Sequence, residues 1–252
     1  MQLDLNPQRP SPLPKILIAL VVFIIAGGFA LRFLIPRIAY GSTARMFNIR
    51  TWFADPSAHP EWWVHINTTC GAAPMIIPTT GYIGVGFGDS FRPGHNHTGY
   101  DIFSPDGEEN ATSVVAAYDG YLIREGDWRS AVIIRHPDFP DFSGVPAGVS
   151  GNQIWTYYTH MASADGTVSY ISTDFPPGTR EVFVKAGTLL GYQGTWSGDP
   201  GNPVGLHLHF SVVKSTLDGG YMNETEIANT YDPAPFLGVT PDEEGFIICR
   251  TP

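Results

Sequence analysis

Gly205-Leu206-His207-Leu208-His209-Phe210 is the stretch whose reading decides the fold. In an extended strand successive side chains alternate faces, so His207 and His209 share one face while Leu208 and Phe210 enter the opposite layer. Earlier in the chain, His97-Thr98-Gly99-Tyr100-Asp101 repeats that parity, with His97, Gly99 and Asp101 on one face and the glycine as an open floor for an ion. Two strands that each offer nitrogen or oxygen donors on one face are what a mixed His/Asp metal site needs. An HxH pair alone also fits two half-buried strand histidines with satisfied rings. The aromatic run Tyr157-Tyr158-Thr159-His160 adds one more histidine to the set.

Taken in order, Gly86-Phe87-Gly88, His97-x-Gly-x-Asp101, Tyr158-x-His160, Gly187-Thr-Leu-Leu-Gly191-Tyr-Gln-Gly194 and His207-Leu-His209-Phe210 resemble the LytM/lysostaphin-type zinc endopeptidases. The resemblance covers about Pro78 to Leu237. It implies an all-β fold (the duplicated hybrid motif), a zinc cofactor and hydrolysis of peptide bonds in peptidoglycan. It makes His97, Asp101 and His209 the zinc ligands, with the fourth position left to water as a catalytic zinc requires. It makes His207 the general base and His160 the oxyanion stabiliser, tasks that suit a side chain titrating near neutrality. His95 forms a second HxH pair with His97, but the family's spacing puts the ligand four residues before the aspartate and so selects His97. Tyr158, taken to share a face with His160, either contacts substrate or oxyanion or packs as an ordinary strand residue. His59, His65 and His136 are expected to be structural.

The sequence departs from the family in three places. The loop Thr195 to Leu206 is longer than the usual compact turn, Leu206 stands where proline is usual, and Ser211 replaces a common glutamate. None removes a ligand. They bear on substrate choice, because this loop and Pro137 to Gly151 would rim the cleft.

The 252 residues include 28 Gly and 22 Pro and are 13% aromatic, which suggests one turn-rich domain with appendages. Strands are expected at Ala131 to His136, Ile154 to His160, Glu181 to Lys185 and Leu206 to Val213. A hairpin is expected where Val114 to Ala117 and Tyr121 to Arg124 flank Asp119-Gly120. No helical period follows the N-terminal region, so the expected fold is all-β: a compact sandwich or barrel-like domain of antiparallel strands, preceded by one transmembrane helix.

That helix is read from Ile16 to Leu31, an uncharged run whose apolar character continues to Ile35, about the twenty residues a bilayer requires. The expected layout is a tail at 1–14, an anchor at 15–37, an aromatic-rich stalk at 38–77, the metallopeptidase domain at 78–237 and a C-terminal tail at 238–252. A cleaved signal peptide is the competing reading of the apolar run. Arg32, Arg37, Arg45 and Arg50 follow it while Arg9 and Lys15 precede it, so the positive-inside rule leans against an exported domain; a substrate outside the membrane argues for one. The stalk's Trp52, Trp62 and Trp63 either dock on the domain or reach for substrate.

The first 50 residues hold six of the 14 basic and one of the 24 acidic residues, which leaves residues 51–252 at net −15. So acidic a segment lacks the basic footprint that nucleic acid or an anionic surface needs, and no nucleic-acid partner is expected. The expected partners are a peptidoglycan peptide and, through the N-terminal helix, the membrane. Cys70 and Cys249 bracket the domain. Either they join in an oxidising envelope compartment, worth about 4–5 kcal/mol by chain entropy, or they remain two thiols. Three function classes fit these residues: a cell-wall zinc endopeptidase, a non-catalytic relative that binds and activates another hydrolase, and a different zinc enzyme on a β scaffold.

Overall fold

The computed structural model describes residues 35–90, 94–140 and 152–249. The chain divides into two units, Met1–Met46 and Phe47–Pro252. Most of the expected anchor at 15–37 lies outside the described residues, among which no helix is long and apolar enough to cross a membrane. The expected rim loop from Pro137 is described only as far as Pro140.

The strands run in chain order as β1 (Trp63–Val64), β2 (Gly81–Val85), β3 (Tyr100–Phe103), β4 (Ser113–Val115), β5 (Gly120–Ile123), β6 (Val132–His136), β7 (Ile154–Thr159), β8 (Val182–Val184), β9 (Leu189–Tyr192), β10 (His207–Lys214), β11 (Thr230–Tyr231), β12 (Val239–Pro241) and β13 (Ile247–Cys249). Eleven form one sheet in the order β12-β13-β2-β3-β10-β7-β6-β5-β8, with β1 added to β2 and β11 to β10; β4 and β9 form a separate pair. The pairings are antiparallel, so the molecule is mostly antiparallel sheet with few helices, in line with the all-β expectation.

β10 organises the rest. It lies between β3, with His207 opposite Phe103 and His209 opposite Asp101, and β7, with His209 opposite Thr159 and Ser211 opposite Tyr157. Alternation gives it two faces. Leu208, Phe210 and Val212 are fully buried with Ile102, Leu122, Ile134 and Tyr158 in the main core, where each large apolar side chain removed from water contributes about 1.5–3 kcal/mol. His207, His209 and Ser211 point the other way.

The packed unit extends past both expected boundaries. Val64, Met75 and Ile77, placed by sequence in a stalk, are fully buried in the main core, and Val239 joins it from the expected tail. β13 pairs with β2, and Cys70 is bonded to Cys249, with Cα atoms 5.3 Å apart. The stalk tryptophans dock. Trp62 stacks on Phe246, and fully buried Trp52 donates its indole N–H to Ser104 O at 3.0 Å. His59 stacks on Trp62, as a structural histidine would.

Two expectations fail. Residues Ile35–Ala54 form a helix, α1, that runs beyond the expected anchor at 15–37 into the stalk, where no helix was expected. Its polar and apolar residues mix around the helix, so the 3.6-residue period is faint, and it is the packing of Ile49 and Trp52, one turn apart, that fixes its last part. The Asp119-Gly120 hairpin is also absent, because β4 pairs with β9 while β5 pairs with β6 and β8. Gly120 serves close approach instead of a turn, since a Cβ there would stand 2.5 Å from Arg135 O. The Asp119 carboxylate meanwhile accepts the Ala186 N–H at 2.7 Å.

Candidate metal centre

Opposed positions on β3 and β10 set Asp101 beside His209, and the extended segment before β3 brings in His97. The three contributing atoms make a near-regular triangle. His97 Nε2 lies 2.9 Å from Asp101 Oδ1, His209 Nδ1 lies 2.9 Å from the same oxygen, and the two nitrogens are 3.0 Å apart. Tetrahedral zinc with bonds of about 2.0–2.1 Å holds its nitrogen and oxygen ligands about 3.3 Å apart, so a small outward movement opens the triangle to fit that ion. Two imidazoles and a carboxylate are a donor set that zinc accepts. His95 stands outside this group of three.

Each ring is aimed by a bond on its far side. Gly86 O accepts from His97 Nδ1–H at 3.0 Å, and Ser211 Oγ lies 2.9 Å from His209 Nε2, which leaves His97 Nε2 and His209 Nδ1 facing the Asp101 carboxylate as the nitrogens a metal would take. His207 and His160 obey the same rule. His207 Nδ1 donates to Gly205 O at 2.6 Å and its Nε2 lies 3.3 Å from Asp101 Oδ1. His160 Nδ1 donates to Trp196 O at 2.6 Å, and its ring centre is 4.5 Å from that of His207.

The charges follow from this packing. Burial favours a neutral Asp101 and is the largest single influence, yet the His207, His209 and His97 rings together hold the carboxyl well below the usual carboxylate range. Burial pushes His209 down despite Asp101. Burial and the neighbouring His207 and His209 push His160 down to about 3. Burial opposes charge on His97 too, but the Asp101 contact and the Gly86 carbonyl outweigh it and raise that ring. An anionic carboxylate and a neutral His209 are the ligand forms a metal requires.

The structure corrects two details of the sequence reading. Gly99 does not leave a floor for an ion: a Cβ there would meet Phe210 O at 2.2 Å and Ser211 Oγ at 2.5 Å, so the glycine lets β3 approach β10 beside His209. Tyr158 is not in the site. It is fully buried on the core face, where its hydroxyl accepts the Ala117 N–H at 2.9 Å and lies 3.1 Å from Thr156 Oγ1. Strand alternation stops at Thr159, because His160 leaves the strand with a left-handed φ of 73°, which turns its ring to the face of Tyr157 and Thr159. Tyr157 is therefore the aromatic neighbour that the sequence reading missed, its ring 6.2 Å from that of His209. The cross-strand register, with Ser211 opposite Tyr157, is what places it there.

No protein-family model and no curated protein matches the chain. Its neighbours among solved structures include LytM-type and M23 peptidase domains and lysostaphin. It is similar to a putative glycyl-glycine endopeptidase lytM from Ruminococcus gnavus, at 22% identity and a TM-score of 0.35 over 55% of this chain and 45% of that one. It is similar to a putative peptidase M23 from Pseudomonas aeruginosa, at 17% identity and a TM-score of 0.36 over 82% and 62%. It is similar to lysostaphin, at 20% identity and a TM-score of 0.35 over 65% and 60%. In each case the chain spans less than two thirds of the other protein's length.

Proposed function

We propose that this chain is a zinc-dependent endopeptidase that cleaves peptide bonds in peptidoglycan. The observation that carries the reading is the triangle of His97 Nε2, Asp101 Oδ1 and His209 Nδ1, with two further imidazoles beside it that are not needed to complete it. Bound zinc supplies a Lewis acid that polarises the scissile carbonyl and makes water acidic enough to attack near neutral pH. His97, Asp101 and His209 hold it.

His207 takes the water's proton. Its Nδ1–H is committed to Gly205 O, so Nε2 is the basic atom, and it faces the carboxylate that steadies the resulting imidazolium. The protonated ring then gives that proton to the leaving amine. His160, pinned through Nδ1 to Trp196 O, presents Nε2 on the opposite flank. It donates to the substrate's oxyanion only when Nε2 is protonated, a state that the developing negative charge favours.

The proposed place of action is the cell envelope, outside the cytoplasmic membrane, with residues 15–37 as anchor. The substrate class and the Cys70–Cys249 bond favour an oxidising compartment, while the arginines after the apolar run count against it. Zinc content together with turnover of purified peptidoglycan by the full chain tests the activity. Stoichiometric zinc without turnover would leave a binding module instead. Membrane fractionation, N-terminal sequencing and protease access in spheroplasts test the location: a protected domain would sink it, and a mature chain starting near residue 40 would make the anchor a signal peptide.

A further inference from the structure

A cavity of about 390 Å³ opens beside His160, and its charges take no part in the chemistry above. Its inner end is formed by Tyr157, Thr159 and His160, the residues of and after β7 that face the metal centre, and its walls include Trp128 and Trp196. Asp127 and Glu224 bring two carboxylates, and Arg129 is the one cation among the lining residues. Arg129 is already engaged. It donates through Nη1 to Gly166 O at 3.0 Å, and its guanidinium lies 5.9 Å over the Trp196 ring.

Glu224 is half-buried, and its Oε2 accepts from the Tyr221 hydroxyl at 3.0 Å, which fixes the carboxylate in place. Its charge reaches the cavity's inner end: burial chiefly, with Glu224 adding to it, pushes the Tyr157 phenol up to about 12. The wall is equally fixed. Buried Arg124 donates to Trp128 O at 3.1 Å, Phe175 O at 2.8 Å and Ser169 Oγ at 3.0 Å, so the loop that carries Trp128 is tied to two neighbouring segments. The cavity is thus preformed, aromatic and net negative. The aromatic lining gives an alkyl arm apolar surface to pack on, and a carboxylate anchored at one oxygen keeps the other for a donor. An acidic side chain would meet two like charges instead.

We propose that this cavity is a subsite for a substrate side chain that ends in a primary ammonium, and that Glu224 is the residue that selects it. The identity of the occupant as part of a peptide substrate rests on the peptidase reading; the binding itself does not involve the metal. Calorimetry with the full metal-free chain, using Ala-Lys-Ala, its Nε-acetylated twin and Ala-Glu-Ala, tests it. The lysine peptide should bind about tenfold or more tightly than either of the others, the weight of one charge-assisted hydrogen bond. Glu224→Gln should erase that preference with an unchanged melting temperature, and Asp127→Asn should reduce it less. Equal affinity for the acetylated peptide, no binding of any peptide, or a preference that survives Glu224→Gln would overturn the proposal. With zinc restored, absence of hydrolysis alongside an intact lysine preference would count against the peptidase reading alone.

Discussion

Two groups of buried imidazoles hang on this sheet, and they differ in where the second ring nitrogen points. At His136, on β6, both nitrogens are spent on the scaffold: Nδ1 donates to Asp119 O at 2.7 Å and Nε2 lies 2.9 Å from Thr156 Oγ1. Burial drives this ring down to about 4, so it stays neutral and inert. At the metal centre each ring spends one nitrogen on a carbonyl or hydroxyl, and His97, His207 and His209 turn the other toward the Asp101 carboxylate. Burial is common to both places. What separates a packing histidine from a candidate ligand is an inward nitrogen that shares its target with the nitrogens of other rings.

The harshest way to break that contrast is to remove an inward nitrogen. His209→Ala should abolish both zinc retention and wall hydrolysis, read by metal analysis and peptidoglycan turnover, because two remaining donors hold the ion too weakly. A variant that retains stoichiometric zinc and full activity would exclude His209 from the site. His207→Ala and His160→Ala should keep zinc and lose about 10²–10⁴-fold in turnover, the usual cost of a positioned acid or base. If the His207 variant loses metal, the roles within the HxH pair are exchanged.

Removing the outer bond sharpens the comparison. Ser211→Ala leaves His209 in place but frees its Nε2, and zinc affinity should fall about 10–100-fold, as for other groups that orient a ligand. Nitrogen-15 NMR of the metal-free chain should then show a mixture of His209 tautomers; a single unchanged tautomer would show that Ser211 does not set it.

His136 supplies a pH test. Its pKa is lower folded, about 4, than unfolded, about 6.5, so the folded state binds fewer protons between those values. Its contribution to stability is complete above pH 6.5 and is lost as pH falls toward 4, about 3 kcal/mol in all. The stability gap between the metal-free chain and its His136→Gln variant should therefore shrink over that window, and a gap that stays constant would contradict the assignment. The smallest effect is expected at Tyr158→Phe. Loss of the bonds from Ala117 and Thr156 should cost about 1 kcal/mol in denaturant unfolding while turnover is kept; a large loss of turnover would return Tyr158 to the site.

The legible and illegible parts of the sequence divide along similar lines. Alternation paired His207 with His209 on β10 and His97 with Asp101 on the segment leading into β3, because strand parity is local and rigid; that the two pairs meet, and that His97 is chosen over His95, rested on the resemblance to the LytM/lysostaphin-type family. The place of Tyr158 was not legible. It depended on one left-handed residue, His160, and nothing in Tyr157-Tyr158-Thr159-His160 marks that histidine as leaving the strand. The hairpin at Asp119-Gly120 misled for a related reason: the glycine answers to Arg135 across the sheet, a partner that no local pattern names. The part of the helix Ile35–Ala54 that lies beyond the expected anchor was missed because its polar and apolar residues alternate too irregularly to write a 3.6-residue period into the sequence.

The alternation along β10 also sets where this chain tolerates changes in length. Deleting Leu208 would shift the pleat by a residue on one side of the gap, leaving His207 and His209 on opposite faces, so that fold and chemistry would fail together. A codon gained between Ser197 and Gly205 meets no such parity, provided the Trp196 carbonyl still reaches His160. Insertions and deletions are therefore lethal in the strand and affordable in the loop, and cleft shape is free to diversify around a metal centre whose reading frame is locked.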